Sequence, residues 1–254
     1  MSRMVHSGNL AADGWEFHRR RDALPIQRHQ VRGERATGTN LLRVLMGNHV
    51  AAPHTDEYGW KHGFPGFEIV RREDLLITIF RAAEPWLLSL YRKPWHVRRR
   101  DRNVDFATFL RQPFQTRRDM DLGPREVKGP GAMNMPIQLD REPYTGQPFA
   151  NPILLRNAKN RAALGLRNRE VNACFLRYEA LMQDPGRFMG ALSEFYDIEH
   201  DVSLVEMPTE RLGRFGREVK GDRRDADPAF SDADRAFLHA TLDHAVEAEL
   251  GYGP

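Results

Sequence analysis

The residues 33–40, which read GERATGTN, have the composition of a turn that binds an anion. Gly33 and Gly38 bracket four residues, and this is the spacing of a phosphate loop, whose glycines let the backbone turn tightly and direct N–H groups at oxygen atoms. Where a nucleoside triphosphatase needs lysine and a hydroxyl for magnesium, this chain has Thr39 and Asn40. We therefore expect an anion-binding turn without a magnesium–triphosphate site. The alternative is a glycine-rich turn with no ligand.

Three further residue groups could take part in chemistry with an anion. His62 follows Lys61 in a loop, where it could act as a base or be an ordinary loop histidine. Arg81 ends an apolar run, and Ser89 follows eight residues later. An arginine at a strand end with a nearby serine could bind a second phosphate, although an ion pair of Arg81 with Glu84 or Glu73 is equally compatible with the sequence.

Local patterns predict the elements that would position these residues. A strand over 26–31 precedes the turn, and a short apolar helix over 41–46 follows it, ended by Gly47 and Asn48. The apolar run 75–80 is typical of a strand buried on both faces of a parallel sheet. A helix begins near Pro85 and ends at Pro94. Each strand is thus followed by a turn and a helix.

The rest of the chain continues this alternation around one irregular stretch. Residues 95–153 are interpreted as an inserted lid or acceptor-pocket segment, with one short helix over 105–111. Helices are predicted over 157–166, from Asp184, and from Ser231 with apolar residues on one side as far as Leu250, and a strand is predicted over 171–178. We expect an α/β fold: an irregular N-terminal arm over 1–24, then a single domain over 25–254 with a central, mostly parallel sheet flanked by helices. Ligands of such sheets bind beyond the carboxyl ends of the strands.

Composition limits the class of protein. The 254 residues are 41% hydrophobic and 29% charged, with a net charge of +3. The absence of a signal peptide or a long apolar run predicts a cytoplasmic protein without a transmembrane segment. The single cysteine, Cys174, is expected to be a buried strand residue. Arginine runs at 19–21, 98–100 and 223–224 are either solvated surface or contacts to an anionic partner.

Together, these motifs resemble the sulfotransferase family that uses 3′-phosphoadenosine 5′-phosphosulfate. The sequence of the first turn is similar to that of a bacterial branch of the family. The resemblance covers about residues 31–252 and implies a P-loop-like fold in which the nucleotide is a co-substrate and no metal is required. It implies His62 as general base with Lys61 beside it. The residues implied to bind the co-substrate are Arg35, Ala36, Thr37, Gly38, Thr39, Asn40, Arg81, Ser89, Tyr178, Lys220 and Gly221.

One position departs from the family pattern. The family usually has lysine where this chain has Ala36. Either Arg35 or Lys61 reaches the oxygen between phosphate and sulfonate instead, or the protein binds the nucleotide without efficient transfer. The expected acceptor is a small molecule, lipid or saccharide with a hydroxyl or amine. The alternatives are a nucleotide kinase or triphosphatase, and a non-catalytic binder of nucleic acid or another anionic polymer. Aromatic residues do not interleave the arginine runs, so no stable nucleic-acid partner is expected.

Overall fold

A computed structural model of the chain describes residues 4–119, 130–203, 205–208 and 228–253. The strands are β1 (Met4–Asn9), β2 (Trp15–Arg20), β3 (Arg28–Arg32), β4 (Asp74–Phe80) and β5 (Asn172–Arg177). The helices are α1 (Leu10–Asp13), α2 (Thr39–His49), α3 (Ala83–Arg92), α4 (Arg99–Arg102), α5 (Phe106–Arg111), α6 (Pro152–Leu164), α7 (Tyr178–Gln183), α8 (Pro185–Tyr196), α9 (Asp232–Thr241) and α10 (His244–Glu249). Short 3-10 turns lie at Pro130–Ala132, Gln138–Asp140 and Gly165–Asn168.

The chain groups into two compact units. The first holds residues 1–82, 160–213 and 244–254, and the second holds 83–159 and 214–243, in each case as far as they are described. All five strands belong to the first unit. The second unit contains all of the described residues of the predicted insert, 95–153, together with α3 and α9.

The sheet has the order β1-β2-β5-β4-β3. β3, β4 and β5 are parallel neighbours, whereas β2 pairs antiparallel with both β5 and β1. Four strands therefore point in one direction, and the prediction of an α/β fold with a mostly parallel sheet is confirmed at this level. Because β3, β4 and β5 run the same way, the residues that follow them meet at one edge of the sheet.

Both faces of the sheet are covered within the first unit. Leu75, Ile77 and Ile79 pack into one core cluster with α2 and α8, whereas Leu76 and Phe80 pack into another with α10. Every residue of β4 is buried, as its continuous apolar run predicted. Cys174 lies in the first cluster and is fully buried, which confirms its prediction as a strand residue.

The prediction of an irregular arm is wrong for residues 4–20, which form the hairpin β1–β2 around the short helix α1. The β1 residues are mostly exposed, so they carry no apolar alternation. In β2, however, Trp15 and Phe17 alternate inward with more polar residues, and this signal was available in the sequence.

Several predicted boundaries also change. Gly47 and Asn48 do not end α2, which runs to His49, because the amide of Val50 still bonds to the Met46 carbonyl. The helix predicted from Ser231 begins as expected, with a capping box between Ser231 and Asp234, but it ends at Thr241 and α10 follows separately. The predicted strand 171–178 ends at Arg177, and α7 begins at the next residue, Tyr178.

The second unit has an aromatic core. Tyr91 packs edge-on against Phe106 and Phe109, and Phe109 packs edge-on against Phe114. Phe106, Phe109 and Phe114 are buried. Their packing against one another makes these rings the core of this unit. Within the described ranges, no helix is long and apolar enough to cross a bilayer.

Candidate functional site

The turn at 33–38 connects the end of β3 to the start of α2, as predicted. Gly33 and Gly38 have φ angles of 151° and 96°. A Cβ on Gly33 would lie 2.5 Å from the carbonyl oxygen of Ile79, and a Cβ on Gly38 would lie 2.6 Å from a ring carbon of Tyr178. Both positions need glycine, because their backbone conformation and their close neighbours exclude a side chain. Ala36 also has a positive φ of 64°.

Glu34 satisfies part of this turn from within. Its carboxylate accepts hydrogen bonds from the Arg35 amide at 2.9 Å and from Arg35 Nε at 2.7 Å, while its carbonyl accepts one from Thr37 Oγ1 at 2.7 Å. The Arg35 side chain is 1% exposed, and its guanidinium lies 5.4 Å from the centre of the Trp60 ring. The positive charge of Arg35 is therefore paired with a carboxylate inside the turn.

The N-terminus of α2 carries the features of an anion site. Its N-cap is Gly38, which has no side chain and makes no side-chain capping bond. The first amides of a helix have no partner within the helix, and the helix dipole places partial positive charge there. A residue such as serine or aspartate usually supplies a capping oxygen. At α2, an oxygen of a bound phosphate or sulfonate can take this place.

Lys61 lies beside this helix end. Its Nζ donates a 2.5 Å hydrogen bond to Oδ1 of Asn40, the second residue of α2. Its backbone carbonyl accepts a 3.0 Å bond from the amide of Gly33. Burial, followed by the nearby charge of Arg43, lowers the pKa of Lys61 to about 8. The lysine thus brings a cation to the turn, and the side chain that it contacts there is a neutral amide.

His62 contacts the turn through its ring. Its Nδ1 lies 2.6 Å from the carbonyl oxygen of Gly33. A carbonyl oxygen only accepts hydrogen bonds, so Nδ1 carries the proton, and Nε2 of the neutral ring has a lone pair. The Trp60 ring packs edge-on against the imidazole, with the ring centres 5.3 Å apart. In this tautomer His62 can accept a proton at Nε2.

Arg81 and Tyr178 approach the turn from the ends of β4 and β5. Arg81 donates a 2.9 Å hydrogen bond to the carbonyl oxygen of Ala36, and its guanidinium lies 4.5 Å from the centre of the Tyr178 ring. Glu179 holds the backbone next to Arg81, because its carboxylate accepts bonds from the Ala82 amide at 3.0 Å and from the Tyr252 hydroxyl at 2.6 Å.

The structure therefore brings most of the sequence-predicted residues to one edge of the sheet. Those that meet at the turn are Arg35, Ala36, Thr37, Gly38, Thr39, Asn40, Lys61, His62, Arg81 and Tyr178. Ser89 lies on α3, in the second compact unit. Lys220 and Gly221 lie outside the described residues.

Sequence reasoning missed three side-chain contacts that shape the site. Glu34 and Trp60 both contact Arg35, and Asn40 contacts Lys61. The contact of Glu34 with Arg35 could have been expected from the sequence, since a carboxylate next to an arginine in a tight turn can bond to its guanidinium. The other two depend on the path of the irregular loop that follows α2, which no periodic pattern specifies.

In comparisons with protein-family models, curated proteins and solved structures, nothing matched this chain. The geometry of the site is therefore the ground on which its function is argued. Across the ranges that the structure describes, no group of three or more His, Cys, Asp or Glu side chains is arranged to hold a metal ion.

Proposed function

We propose that this protein is a sulfotransferase that moves a sulfuryl group from 3′-phosphoadenosine 5′-phosphosulfate to a hydroxyl or amine of its acceptor. One observation carries the proposal. A glycine-bracketed turn at a helix N-terminus is contacted directly by a histidine with a basic nitrogen, by a lysine and by an arginine. An anion site, a proton acceptor and two cations are what an in-line transfer of a sulfuryl group needs.

In the proposed reaction, the acceptor oxygen or nitrogen forms a bond to sulfur while the bond from sulfur to the bridging phosphate oxygen breaks. The bonding electrons leave with the phosphate, which gains negative charge. His62 Nε2 takes the proton from the acceptor. We assign to the α2 N-terminus and the Thr39 hydroxyl the binding of oxygens of the transferred group or of the phosphate. The Thr37 hydroxyl already donates its proton to the Glu34 carbonyl, so its contribution is to shape the turn.

The contacts favour Lys61 over Arg35 as the replacement for the family lysine absent at Ala36. The Arg35 guanidinium is paired with Glu34 and is 1% exposed. Lys61 contacts the first turn of α2 through Asn40. Its lowered pKa shows that the ammonium loses solvation there, and a bound anion would compensate for this loss. We assign to Lys61 the stabilisation of charge on the leaving phosphate.

Binding of 3′,5′-diphosphoadenosine is the first test. Ligand at about a hundred times its dissociation constant stabilises a protein by roughly 2.7 kcal/mol, which raises Tm by about 5–10 °C for a chain of this size. We expect this shift with the diphosphate in the presence of EDTA. A shift with magnesium-ATP and none with the diphosphate would instead support the kinase or triphosphatase.

Turnover of an acceptor tests the base. We expect His62→Gln to lower kcat by roughly 10²–10⁴-fold, because general base catalysis contributes about this much, while binding of the diphosphate stays close to that of the wild type. His49→Gln is the matched control, because His49 lies at the other end of α2 with its ring bonded to the Asp201 carbonyl. Full activity in His62→Gln would remove His62 from the mechanism.

A further inference from the structure

We propose that Arg32 is a positioning residue that holds the Lys61–His62 segment against the anion-binding turn; its catalytic consequence rests on the proposed function. Arg32 is the last residue of β3 and directly precedes Gly33. Its guanidinium donates to the carbonyl oxygens of Tyr58 at 2.6 Å, Gly63 at 3.2 Å and Phe64 at 3.2 Å. These carbonyls lie on both sides of Lys61 and His62, so one side chain fixes both flanks of the catalytic pair.

Gln30 adds a second attachment from the same face of β3. Side chains two residues apart on a strand point to the same side, so Gln30 and Arg32 both reach this loop. The Gln30 amide donates to the Gly59 carbonyl at 2.8 Å and accepts from the Tyr58 amide at 2.9 Å. The loop has no helix or strand of its own over residues 55–73. These side chains therefore add to the few backbone bonds, such as that from Gly33 to Lys61, that attach it beside β3.

Burial of the charged Arg32 side chain costs free energy. Arg32 is 4% exposed, and among the residues that the structure describes its hydrogen bonds all go to carbonyl oxygens, with no carboxylate in an ion pair. Burial lowers the pKa of Arg32 to about 10. Burying a charge without a counter-charge is costly, whereas a neutral side chain could fill the same space. The planar, multi-donor guanidinium is the side chain that can bind three carbonyls of one loop at once.

The attachment has a direct link to the site. Between the flanks that Arg32 holds, the Lys61 carbonyl accepts from the Gly33 amide, and His62 Nδ1 donates to the Gly33 carbonyl. If the flanks detach, both contacts to Gly33 are released together. The His62 ring then loses the bond that fixes its tautomer, and Lys61 loses its alignment with Asn40.

The test compares Arg32→Gln and Arg32→Lys with the wild type. NMR reports hydrogen exchange at the Gly33 amide and the tautomer of His62, and steady-state kinetics reports kcat and KM. In Arg32→Gln we expect Gly33 exchange to accelerate at least about tenfold while the buried amides of β4 keep their protection. We expect His62 to become a mixture of tautomers, and kcat to fall by about 10²-fold because the base is misplaced. KM for the nucleotide should change less than about threefold, since the turn, α2 and Arg81 are intact.

Arg32→Lys and Arg19→Met separate positioning from general stability. Lysine keeps the charge but not the planar fork, so we expect partial recovery of kcat and of Gly33 protection. Arg19 in β2 also donates from its guanidinium to a carbonyl, that of Phe195 at 3.1 Å, and lies outside the contacts of the loop. Arg19→Met should leave Gly33 exchange, the His62 tautomer and kcat unchanged.

Each result decides the inference. Unchanged Gly33 exchange and His62 tautomer in folded Arg32→Gln would overturn it, and so would a detached loop with normal kcat. If Arg32→Gln does not fold, Arg32→Lys carries the same comparison. If the wild type transfers no sulfuryl group, the proposed function fails, and the two NMR readouts alone decide whether Arg32 positions the pair.

Discussion

Lys61 is in an unusual electrostatic position for a lysine. Its ammonium group is partly buried, has Arg43 as a repelling neighbour and is hydrogen-bonded to the neutral Asn40 side chain. Each of these features disfavours the charged form or fails to compensate for its lost hydration. The charge of Asp56 raises the pKa of Lys61 but does not offset burial and Arg43. A site that binds an anion explains why such a cation is retained, because the anion adds further negative charge beside it.

Replacement of Lys61 by methionine should therefore stabilise the protein without ligand and weaken its binding of an anion. The folded-state pKa of about 8 is below the ordinary value of 10.5. The wild type therefore has a lower free energy of unfolding at any pH where the folded lysine carries a proton. We expect Tm to rise by about 2–4 °C at pH 7, the gain to shrink as pH rises through 8, and none to remain above about 10.5.

The corresponding measurement is a series of thermal unfolding curves with and without 3′,5′-diphosphoadenosine. In Lys61→Met the ligand-induced shift should be smaller than in the wild type at pH 7. A lower Tm in the variant without ligand would show that the Asn40 contact stabilises the fold more than burial of the charge destabilises it.

The glycine spacing was enough to predict the turn, because few backbones other than a tight loop need Gly33 and Gly38 five residues apart. The direct contact of Lys61 with Asn40 was not predictable, since the two residues are 21 positions apart in sequence and an irregular loop lies between the end of α2 and Lys61. The pairing of Arg35 with Glu34 was also missed, and it changes the assignment of the cation.

At the level of elements, α2 offers a controlled test of the turn, because it begins at one glycine and contains another in a different environment. Gly38 at its N-cap has a positive φ and the Tyr178 ring next to it, whereas a Cβ added to Gly47, in its last turn, would have no atom within 4 Å. We expect Gly38→Ala to destabilise the protein by roughly 1–3 kcal/mol through backbone strain and displacement of Tyr178.

Gly47→Ala should instead raise the free energy of unfolding, by about 0.5–1 kcal/mol, because alanine loses less backbone entropy than glycine when a helix forms. Chemical denaturation of both variants gives the comparison. Equal effects of the two substitutions would contradict the requirement for glycine at the turn.

Elements with a strong local signal were predicted well, and the others depended on tertiary contacts. β4 is apolar throughout, and α9 has its capping box, so both could be recognised from sequence. β1 is an exposed edge strand whose place in the sheet comes from pairing with β2 rather than from its own residues. The same dependence on partners explains why α7 was not predicted after Arg177.

At the scale of the whole molecule, the described arginines of the runs at 19–21 and 98–100 include several with partners inside the chain. In the described part of the arginine runs, Arg20 is paired with Asp22 and Arg98 with Asp101. Arg19 donates to the carbonyl of Phe195. The run at 223–224 lies outside the described residues. Internal pairing of this kind supports the interpretation of the runs at 19–21 and 98–100 as ordinary surface.

Cys174 provides a probe of global unfolding in the first unit. It is fully buried in β5, burial raises the pKa of its thiol well above the ordinary value, and it is the single cysteine of the chain. We expect a maleimide at pH 7 to react with the native protein only at the rate set by unfolding, because the reactive species is the exposed thiolate.

Mass spectrometry of the labelled protein gives this rate directly. Saturating 3′,5′-diphosphoadenosine at about a hundred times its dissociation constant should slow labelling by about a hundredfold if it binds only the folded state. Rapid labelling in the absence of denaturant would show that β5 opens locally.

Trp60 makes the site visible to optical spectroscopy. Its indole contacts both the Arg35 guanidinium and the His62 imidazole. An imidazolium quenches the emission of a neighbouring indole. The other three tryptophans are Trp15, Trp86 and Trp95, so a variant with phenylalanine at those positions would emit from Trp60 alone. Its fluorescence would then follow the protonation of His62 and the arrival of a ligand in real time, in a chain that carries no added dye.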